Sequence, residues 1–212
     1  MIAQPESESP ALPSRLPRHI GIIPDGNRRW AERSGLGRHA GYDSGVEPGL
    51  RLYRACREAG IEELSVFGFT RDNAKRPSAQ VEAFRSACAE VGRRLAEAGA
   101  EVRAVGDEAS PLFPDGLRGL IGGRGKSPRV NLLVNYGWRW DLDGIRFGPH
   151  RTAGIPPIEL VIRWGGGRRL SGFLPVQSAY ADFFVVDALW PDYQDSHLFE
   201  ALSWYSTQDR MP

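Results

Sequence analysis

The sequence predicts an α/β fold in which helices flank a largely parallel central sheet. Short apolar runs alternate with amphipathic segments along the chain, and this alternation favours parallel strands joined by crossover helices. The chain has 212 residues, of which 41% are hydrophobic and 25% charged, enough for one core of ordinary size. We therefore expect one domain over residues 18–212, preceded by a disordered leader over residues 1–17 that is rich in Pro, Ser and Glu.

Apolar spacing and turn residues define the elements of the first half. Residues 19–23 form a short apolar strand, and a helix is expected from about residue 28 to residue 34, before Gly35. A second helix should be capped by Asp43 or Ser44 and ended by Gly60. Its apolar residues recur at helical spacing: Val46, Leu50 and Tyr53. Residues 64–69 then form a second strand.

The second half continues the same alternation. Ser78 is expected to cap a long amphipathic helix that Gly99 ends. Further strands are predicted at residues 102–105, 130–134, 158–162 and 183–186, and a last helix at residues 196–205. The segment 141–157 is rich in glycine and proline, so it is predicted to be a loop.

Charge, cysteine content and motifs exclude several classes of function. The formal net charge is +1, so a nucleic acid or an acidic membrane surface is not indicated as a partner. Cys56 and Cys88 fall among apolar residues of predicted helices and are expected to be buried free thiols. No apolar run approaches the ~18–20 residues of a transmembrane helix, and the start lacks a secretory signal, so a cytoplasmic protein is expected. The sequence has neither a P-loop nor a dinucleotide fingerprint, and its histidines lack zinc-ligand spacing.

Three polar, glycine-rich loops follow apolar strands, at residues 25–30, 70–77 and 163–171. Ligands of open α/β sheets lie beyond the carboxyl ends of the strands, where backbone N–H groups and arginines bind phosphate oxygens. A carboxylate among such groups, Asp25, cannot bind an anion directly. It indicates Mg²⁺, which bridges carboxylate and phosphate. The alternative for any one loop is an ordinary surface turn, with Asp25 as a helix cap.

Four segments resemble the cis-prenyltransferases, the undecaprenyl diphosphate synthase family. Residues 22–31 are similar to the first signature of the family, 67–77 to the second, and 135–141 to its Asn-Tyr-Gly-x-Arg-x-acid segment, while 162–192 resemble its last block. The resemblance implies the cis-prenyltransferase fold, a homodimer, Mg²⁺ and an isoprenyl diphosphate synthase activity. That enzyme would join an allylic diphosphate, dimethylallyl or geranyl, to a second C5 diphosphate with release of pyrophosphate.

The resemblance also implies roles for individual residues. Asp25 matches the Mg²⁺-linked aspartate, Asp182 stands where the family has a glutamate that helps to hold the metal, and Asn73 matches an asparagine that assists proton removal or positioning. The residues that match binders of the allylic diphosphate are Gly26, Asn27, Arg29 and Arg38, and those that match the second site are Arg163, Arg169 and Ser171. Further residues expected to bind substrate are Arg28, Trp30, Tyr42, Thr70 and Arg76. An apolar tunnel is expected from Val66, Phe67, Phe69 and Phe84, for which plain core packing is the alternative.

The segment that matches the second site departs from the family pattern. Trp164 replaces a threonine and is expected to put bulk near the second diphosphate, Gly167 replaces an acid, and Gly172 replaces an asparagine. These changes indicate a different second substrate or a different placement of it. Short-chain cis coupling and irregular head-to-middle coupling, as in lavandulyl-type relatives, both remain open. So do a non-catalytic partner subunit and transfer of the prenyl group to a non-isoprenoid acceptor or to water.

Overall fold

The computed structural model describes residues 12–120, 128–146 and 148–209. In these residues, six strands form one sheet: β1 His19–Ile23, β2 Glu63–Phe67, β3 Glu101–Val105, β4 Arg129–Leu133, β5 Leu160–Arg163 and β6 Asp182–Val185. The strand order is β3-β4-β2-β1-β5-β6, and every neighbouring pair is parallel. The α-helices are α1 Asn27–Arg33, α2 Ala40–Asp43, α3 Val46–Glu58, α4 Ser78–Glu97, α5 Trp138–Leu142 and α6 Asp195–Ser206. The predicted α/β fold with a parallel sheet and flanking helices is confirmed.

The two faces of the sheet are covered in different ways. Ile20 and Ile22 point to a face where they pack with apolar residues of α3 and α6. Ile23 points to the opposite face, because successive side chains of a strand alternate, and there it packs with Phe173 and Leu174. This second face is covered mostly by irregular chain between β4 and β6. The carboxyl edge of the sheet remains open between the two covers.

Helices α3 and α4 are not capped by the residues predicted from the sequence. α3 begins after Gly45 and α4 after Pro77, in both cases without a side-chain capping hydrogen bond, so Asp43, Ser44 and Ser78 do not cap them. The predicted loop over residues 141–157 is also corrected at its start. It begins inside α5 and continues as a 3-10 turn, Asp143–Arg146, before the irregular chain.

Other expectations about the chain have mixed outcomes. Cys56 and Cys88 are free and buried, as predicted, and burial raises the pKa of both thiols, that of Cys88 to about 12. The described part of the predicted leader contacts the last helix, since the Arg15 guanidinium donates to the carbonyl oxygens of Tyr205 and Gln208. Residues 1–11 lie outside the described ones. None of the helices in the described ranges combines the length and the apolar content needed to cross a bilayer.

Candidate active site

The loops after four neighbouring strands, β4, β2, β1 and β5, surround a cavity of about 710 Å³ at the carboxyl edge of the sheet. The cavity forms because the paired strands are parallel and end at the same edge of the sheet. Ile23 and Arg163 are partners at the ends of β1 and β5, and Thr70 bridges Tyr136 beyond β2 and β4. Six arginines and three carboxylates line the cavity: Arg28, Arg29, Arg38, Arg76, Arg163 and Arg169, with Asp25, Glu32 and Asp72. A chain whose formal net charge is only +1 thus concentrates positive charge at one place, as anion binding requires.

An ion pair between Asp25 and Arg163 lies at the centre of the cavity. Arg163 Nη2 donates to Asp25 Oδ2 at 2.7 Å, and the Arg163 side chain is only 4% exposed. Arg29 Nη2 approaches the same carboxylate oxygen at 3.6 Å and donates to the carbonyl of Gly165 at 2.9 Å. Both guanidinium groups therefore connect the loop after β1 to the loop after β5.

The glycine turn after β5 makes this approach possible. Gly165 has φ +83°, and a Cβ there would lie 2.5 Å from Arg29 Nη2 and 2.9 Å from the carbonyl oxygen of Asp25. At Gly167 an added Cβ would lie 2.6 Å from Arg163 Nε. The missing side chain at position 167 therefore leaves room for the Arg163 guanidinium in the orientation that reaches Asp25.

Arg163 retains hydrogen-bonding capacity that the protein does not use. Its Nη1 donates to Ser171 Oγ at 3.0 Å and to the carbonyl of Arg169. Its Nε is buried without a hydrogen-bond partner. Buried guanidinium N–H groups rarely remain unsatisfied. Ser171 and the exposed Arg169 line the cavity beside Arg163, so this part of the cavity suits an anionic ligand.

A second group of arginines lines the cavity without contacting Ser171. It includes Arg28 and Arg38, and Arg38 pairs with Glu32. Arg76 Nη1 donates to the hydroxyl oxygen of Tyr42 at 2.8 Å. Burial is the largest influence on the Arg76 guanidinium and lowers its pKa from the ordinary value, Arg28 acts in the same direction, and Tyr42 opposes them. An anion bound here would relieve the repulsion between these cations.

Asn73 is held by a reciprocal contact with Thr70. The Asn73 Oδ1 atom accepts from the backbone N–H of Thr70 at 3.0 Å, and the Asn73 N–H donates to Thr70 Oγ1 at 3.2 Å. The Asn73 side-chain oxygen therefore stabilises the loop that follows β2. The amide nitrogen, which makes no hydrogen bond to this loop, can donate to a ligand and cannot remove a proton. The geometry favours positioning over proton removal, the two roles that the resemblance left open.

Aromatic side chains supply the apolar part of the cavity lining. The rings of Tyr42 and Phe84 stack with centroids 4.5 Å apart and planes 10° apart, and Phe69 meets Phe84 edge-on at 5.6 Å. Phe67 and Phe84 line the cavity, whereas Phe69 is fully buried. Of the four residues expected in an apolar tunnel, Phe67 and Phe84 reach the cavity, and Phe69 and Val66 belong to the core.

Tyr136 and Trp138 also line the cavity, although no role was assigned to them from the sequence. Asp141, which is fully buried, accepts from the Tyr136 hydroxyl at 2.9 Å and from Thr152 N and Oγ1 at 2.9 and 2.8 Å. Burial and the Asp141 carboxylate raise the pKa of Tyr136, so its hydroxyl stays protonated and donates. The available signal was positional, because these residues directly follow the predicted strand 130–134.

The cavity gathers most of the predicted site residues. Those that line it are Asp25, Gly26, Asn27, Arg28, Arg29, Arg38, Tyr42, Thr70, Asn73, Arg76, Arg163, Arg169 and Ser171. The structure does not bring the remaining two, Trp30 and Asp182, to it.

Three expectations from the sequence need correction. Trp30 Nε1 donates to Asp192 Oδ1 at 2.9 Å and is not part of the cavity lining. Asp182 begins β6, opposite Leu160, and therefore lies at the amino edge of the sheet while Asp25 lies at the carboxyl edge. Trp164 is fully buried in the core, 5.0 Å from the Trp190 ring, because it follows Arg163 and alternation turns it away from the cavity.

The protein groups in the cavity fit Mg²⁺ only in company with a ligand. Over the described ranges, no three His, Cys, Asp or Glu side chains gather as a metal-binding group. Mg²⁺ binds through one or two carboxylates together with phosphate and water oxygens. Asp25 lines the cavity with its side chain 38% exposed, so it can supply one carboxylate while diphosphate oxygens and water supply the rest.

Comparisons with known proteins agree with this geometry. Residues 23–145 and 149–211 match the family described as "Putative undecaprenyl diphosphate synthase". The chain is 31% identical to the ditrans,polycis-undecaprenyl-diphosphate synthase ((2E,6E)-farnesyl-diphosphate specific) of Pseudomonas putida, over 97% of this chain and 94% of that protein. It is 34% identical to an isoprenyl transferase of Heliobacterium mobile, over 93% of this chain and 88% of that protein.

A solved structure shares the fold. Lavandulyl diphosphate synthase from Lavandula x intermedia, in complex with dimethylallyl diphosphate, superposes with a TM-score of 0.77 at 23% identity, covering 92% of this chain and 98% of that chain.

Proposed function

Because the chain belongs to the undecaprenyl diphosphate synthase family of cis-prenyltransferases, we propose that it couples an allylic diphosphate, dimethylallyl or geranyl, to a second C5 diphosphate and releases a short-chain product. The chain is a prenyltransferase, and isoprenyl diphosphate synthase activity follows from its relatives. The proposal concerns the two substrates, the length of the product and the residues that act.

One observation carries the proposal: a single cavity holds two groups of arginines and one central carboxylate partner, Asp25. Arg163 contacts Asp25, Ser171 and the carbonyl of Arg169. Arg76 instead contacts Tyr42, and burial together with the nearby Arg28 lowers its pKa. Two cationic groups suit two diphosphates, and Asp25 suits a cation that contacts the first. This arrangement has no use in a non-catalytic partner subunit.

The reaction requires that pyrophosphate leave the allylic carbon. Mg²⁺ bound to Asp25 and to diphosphate oxygens would neutralise the negative charge that develops on the leaving group. Arg28, Arg29 and Arg76 are placed to hold the departing oxygens by charge-assisted hydrogen bonds. The Asn73 amide nitrogen orients the substrate.

The aromatic part of the cavity lining protects the allylic cation and limits chain growth. The rings of Phe67, Phe84 and Tyr42 exclude water from the hydrocarbon. A cavity of about 710 Å³ is in the range that holds one drug-sized ligand or two small ones, about 300–1,000 Å³. The stacked Tyr42 and Phe84 rings add aromatic bulk to its lining, which supports a short product over the long polyprenyl chain named in several relatives.

The test is product formation from defined pairs of substrates. The protein is incubated with Mg²⁺ and pairs of dimethylallyl, isopentenyl and geranyl diphosphates, and products are identified by mass spectrometry. Asp25→Asn should lose coupling by about 10²–10³-fold, whereas the matched control Asp43→Asn, an exposed carboxylate outside the cavity, should keep it. Equal product from wild type and Asp25→Asn would contradict the role of Asp25, and no product from either protein would favour a partner subunit.

The same assay separates the modes of coupling. Product from dimethylallyl diphosphate without isopentenyl diphosphate identifies irregular head-to-middle coupling. A product that requires both identifies head-to-tail coupling. Release of prenyl alcohol alone identifies hydrolysis and would contradict the proposal.

Truncating an aromatic side chain of the lining tests product length. Phe84→Ala should lengthen the product, because it removes aromatic bulk from the cavity lining. Phe199→Ala, in α6 and away from the cavity, is the matched control and should leave the product unchanged. The homodimer and the cytoplasmic location expected from the sequence remain predictions, and light scattering on the purified protein measures the first.

A further inference from the structure

Trp138 is an exposed indole at the rim of the cavity. It is the first residue of α5, and 39% of its surface is exposed although it lines the cavity wall. The Arg139 guanidinium lies 4.5 Å from its ring centroid. A partly exposed tryptophan beside an arginine-rich anion site offers an apolar and polarisable surface to whatever the anion carries.

The indole of Trp138 packs against a tight turn, residues 170–173. The N–H of Phe173 bonds to the carbonyl of Leu170 at 3.0 Å, and the two central residues, Ser171 and Gly172, have φ of +54° and +77°. Positive φ at both central positions is the signature of a type I′ turn, which favours glycine or asparagine. The turn directs Ser171 Oγ to Arg163 and leaves Gly172 beneath Trp138.

The absence of a side chain at Gly172 is what admits the indole. A Cβ at this position would lie 2.5 Å from Trp138 Cδ1 and 3.2 Å from Cγ. Gly172, against which the indole packs, therefore directly follows the anion-binding Ser171 in the same turn. An anion held by Arg163 and Ser171 would place the group that it carries next to the ring.

We propose that Trp138, seated on Gly172, determines specificity for the second substrate by forming the wall against which its five-carbon alkenyl chain packs. The inference deepens the proposed function and rests on it. Arg163, Arg169 and Ser171 bind the diphosphate of that substrate, and Trp138 binds its hydrocarbon. The affinity for the alkenyl group should therefore depend on Trp138, and the affinity for the diphosphate alone should not.

Calorimetric titrations separate the two contributions. The first site is filled with unreactive dimethylallyl S-thiolodiphosphate in the presence of Mg²⁺, and isopentenyl diphosphate or inorganic pyrophosphate is then titrated. The wild type should bind isopentenyl diphosphate about tenfold more tightly than pyrophosphate, as expected for burial of a few apolar carbons. Trp138→Ala should abolish this preference and leave the pyrophosphate affinity within about twofold. Trp138→Phe should retain most of the preference.

Variants of the turn and of a distant residue complete the test. Asn tolerates positive φ, so Gly172→Asn should keep the turn, displace the indole and reduce the preference as Trp138→Ala does. Adding Gly172→Asn to Trp138→Ala should change it no further. Tyr180→Ala removes another exposed aromatic, outside the cavity, and should match the wild type.

Several outcomes would overturn the inference. They are a wild type without preference for isopentenyl diphosphate, equal loss of affinity for both probes in Trp138→Ala, and additive losses in the double variant. Failure of the proposed function is seen separately. A wild type that shows the Trp138-dependent preference but forms no coupled product would refute the coupling reaction. The same result would support the proposal that Trp138 packs against the alkenyl chain.

Discussion

The two edges of the sheet are both polar, yet only one has the properties of a site. At the amino edge, a buried chain of hydrogen bonds crosses three strands. His19 Nε2 contacts Ser65 Oγ at 2.9 Å, and Asn131 Nδ2 donates to Ser65 Oγ at 3.2 Å and to Glu63 Oε1 at 2.7 Å. Arg129 pairs with Glu63 at 3.4 Å. Most polar groups pair with one another there, although Asn131 Oδ1 is buried without a partner, and the described cavity does not reach any of them.

At the carboxyl edge, the polar groups surround open space. Arg163 Nε and Asn27 Oδ1 are buried without partners, and Arg28 and Arg169 face the cavity. The comparison shows that polar character alone does not distinguish a binding site from a structural network. Unused hydrogen-bonding capacity next to a cavity does. Three predictions test this difference, beginning with a loss of activity and ending with a change in acid stability.

Loss of one arginine at each edge should affect activity very unequally. Arg163→Ala should lower kcat/KM by about 10²–10³-fold, because it removes a preorganised cation from the site. Arg129→Ala should leave kcat/KM within about twofold and cost at most about 1 kcal/mol of unfolding free energy, as for other half-exposed ion pairs. Steady-state kinetics and urea unfolding measure both quantities. Comparable losses of activity in the two variants would break the distinction between the edges.

Loss of one asparagine at each edge should separate stability from activity. Asn131→Ala leaves Glu63 Oε1 without its buried donor and should cost about 2–3 kcal/mol of unfolding free energy. Asn73→Ala should cost less than about 1 kcal/mol and lower kcat/KM by about 10–100-fold through loss of orientation. Chemical unfolding and kinetics on the same preparations provide the comparison. An unstable Asn73→Ala, or an inactive but stable Asn131→Ala, would contradict it.

Acid should weaken the fold through the amino edge. Burial lowers the pKa of His19 below its ordinary 6.5, and the nearby Glu63 and Glu159 only partly oppose this. The unfolded chain therefore binds a proton more readily than the folded one. The stabilisation is complete above about pH 6.5 and is lost as the pH falls toward the folded pKa, with a slope of up to about 1.4 kcal/mol per pH unit.

Urea unfolding between about pH 5 and pH 8 measures this slope. His19→Gln should flatten it, whereas His39→Gln, at an exposed position, should leave it unchanged. An equally steep slope in His19→Gln would assign the acid sensitivity to other groups.

Much of the fold could be predicted from local patterns. The predicted strands agree with the observed ones to within about two residues, the usual precision of such boundaries, and Gly60 and Gly99 follow helices as expected. The predicted helix caps were wrong because the observed starts at Gly45 and Pro77 depend on how the chain enters from the preceding turn. A cap is a weak contribution that tertiary packing readily overrides.

By itself, the sequence determined the sheet, the loops that meet at its carboxyl edge and the candidate carboxylate, Asp25. These features depend on periodicity and on turn residues, which act over a few positions, and on the fact that parallel strands end at one edge. The sequence alone did not determine the direction in which individual side chains point. Trp30 and Asp182 stand within conspicuous motifs, yet one contacts Asp192 and the other begins a strand at the opposite edge.

Which groups meet in the site depends on the packing of the folded chain. The pairing of Asp25 with Arg163 and the seating of Trp138 on Gly172 join segments far apart in the chain. Whether such groups touch depends on register, on alternation along each strand and on the space left by glycines, and these are properties of the packed sheet. The physical reason is that contact is set by distances of a few ångströms between segments, which no local pattern encodes.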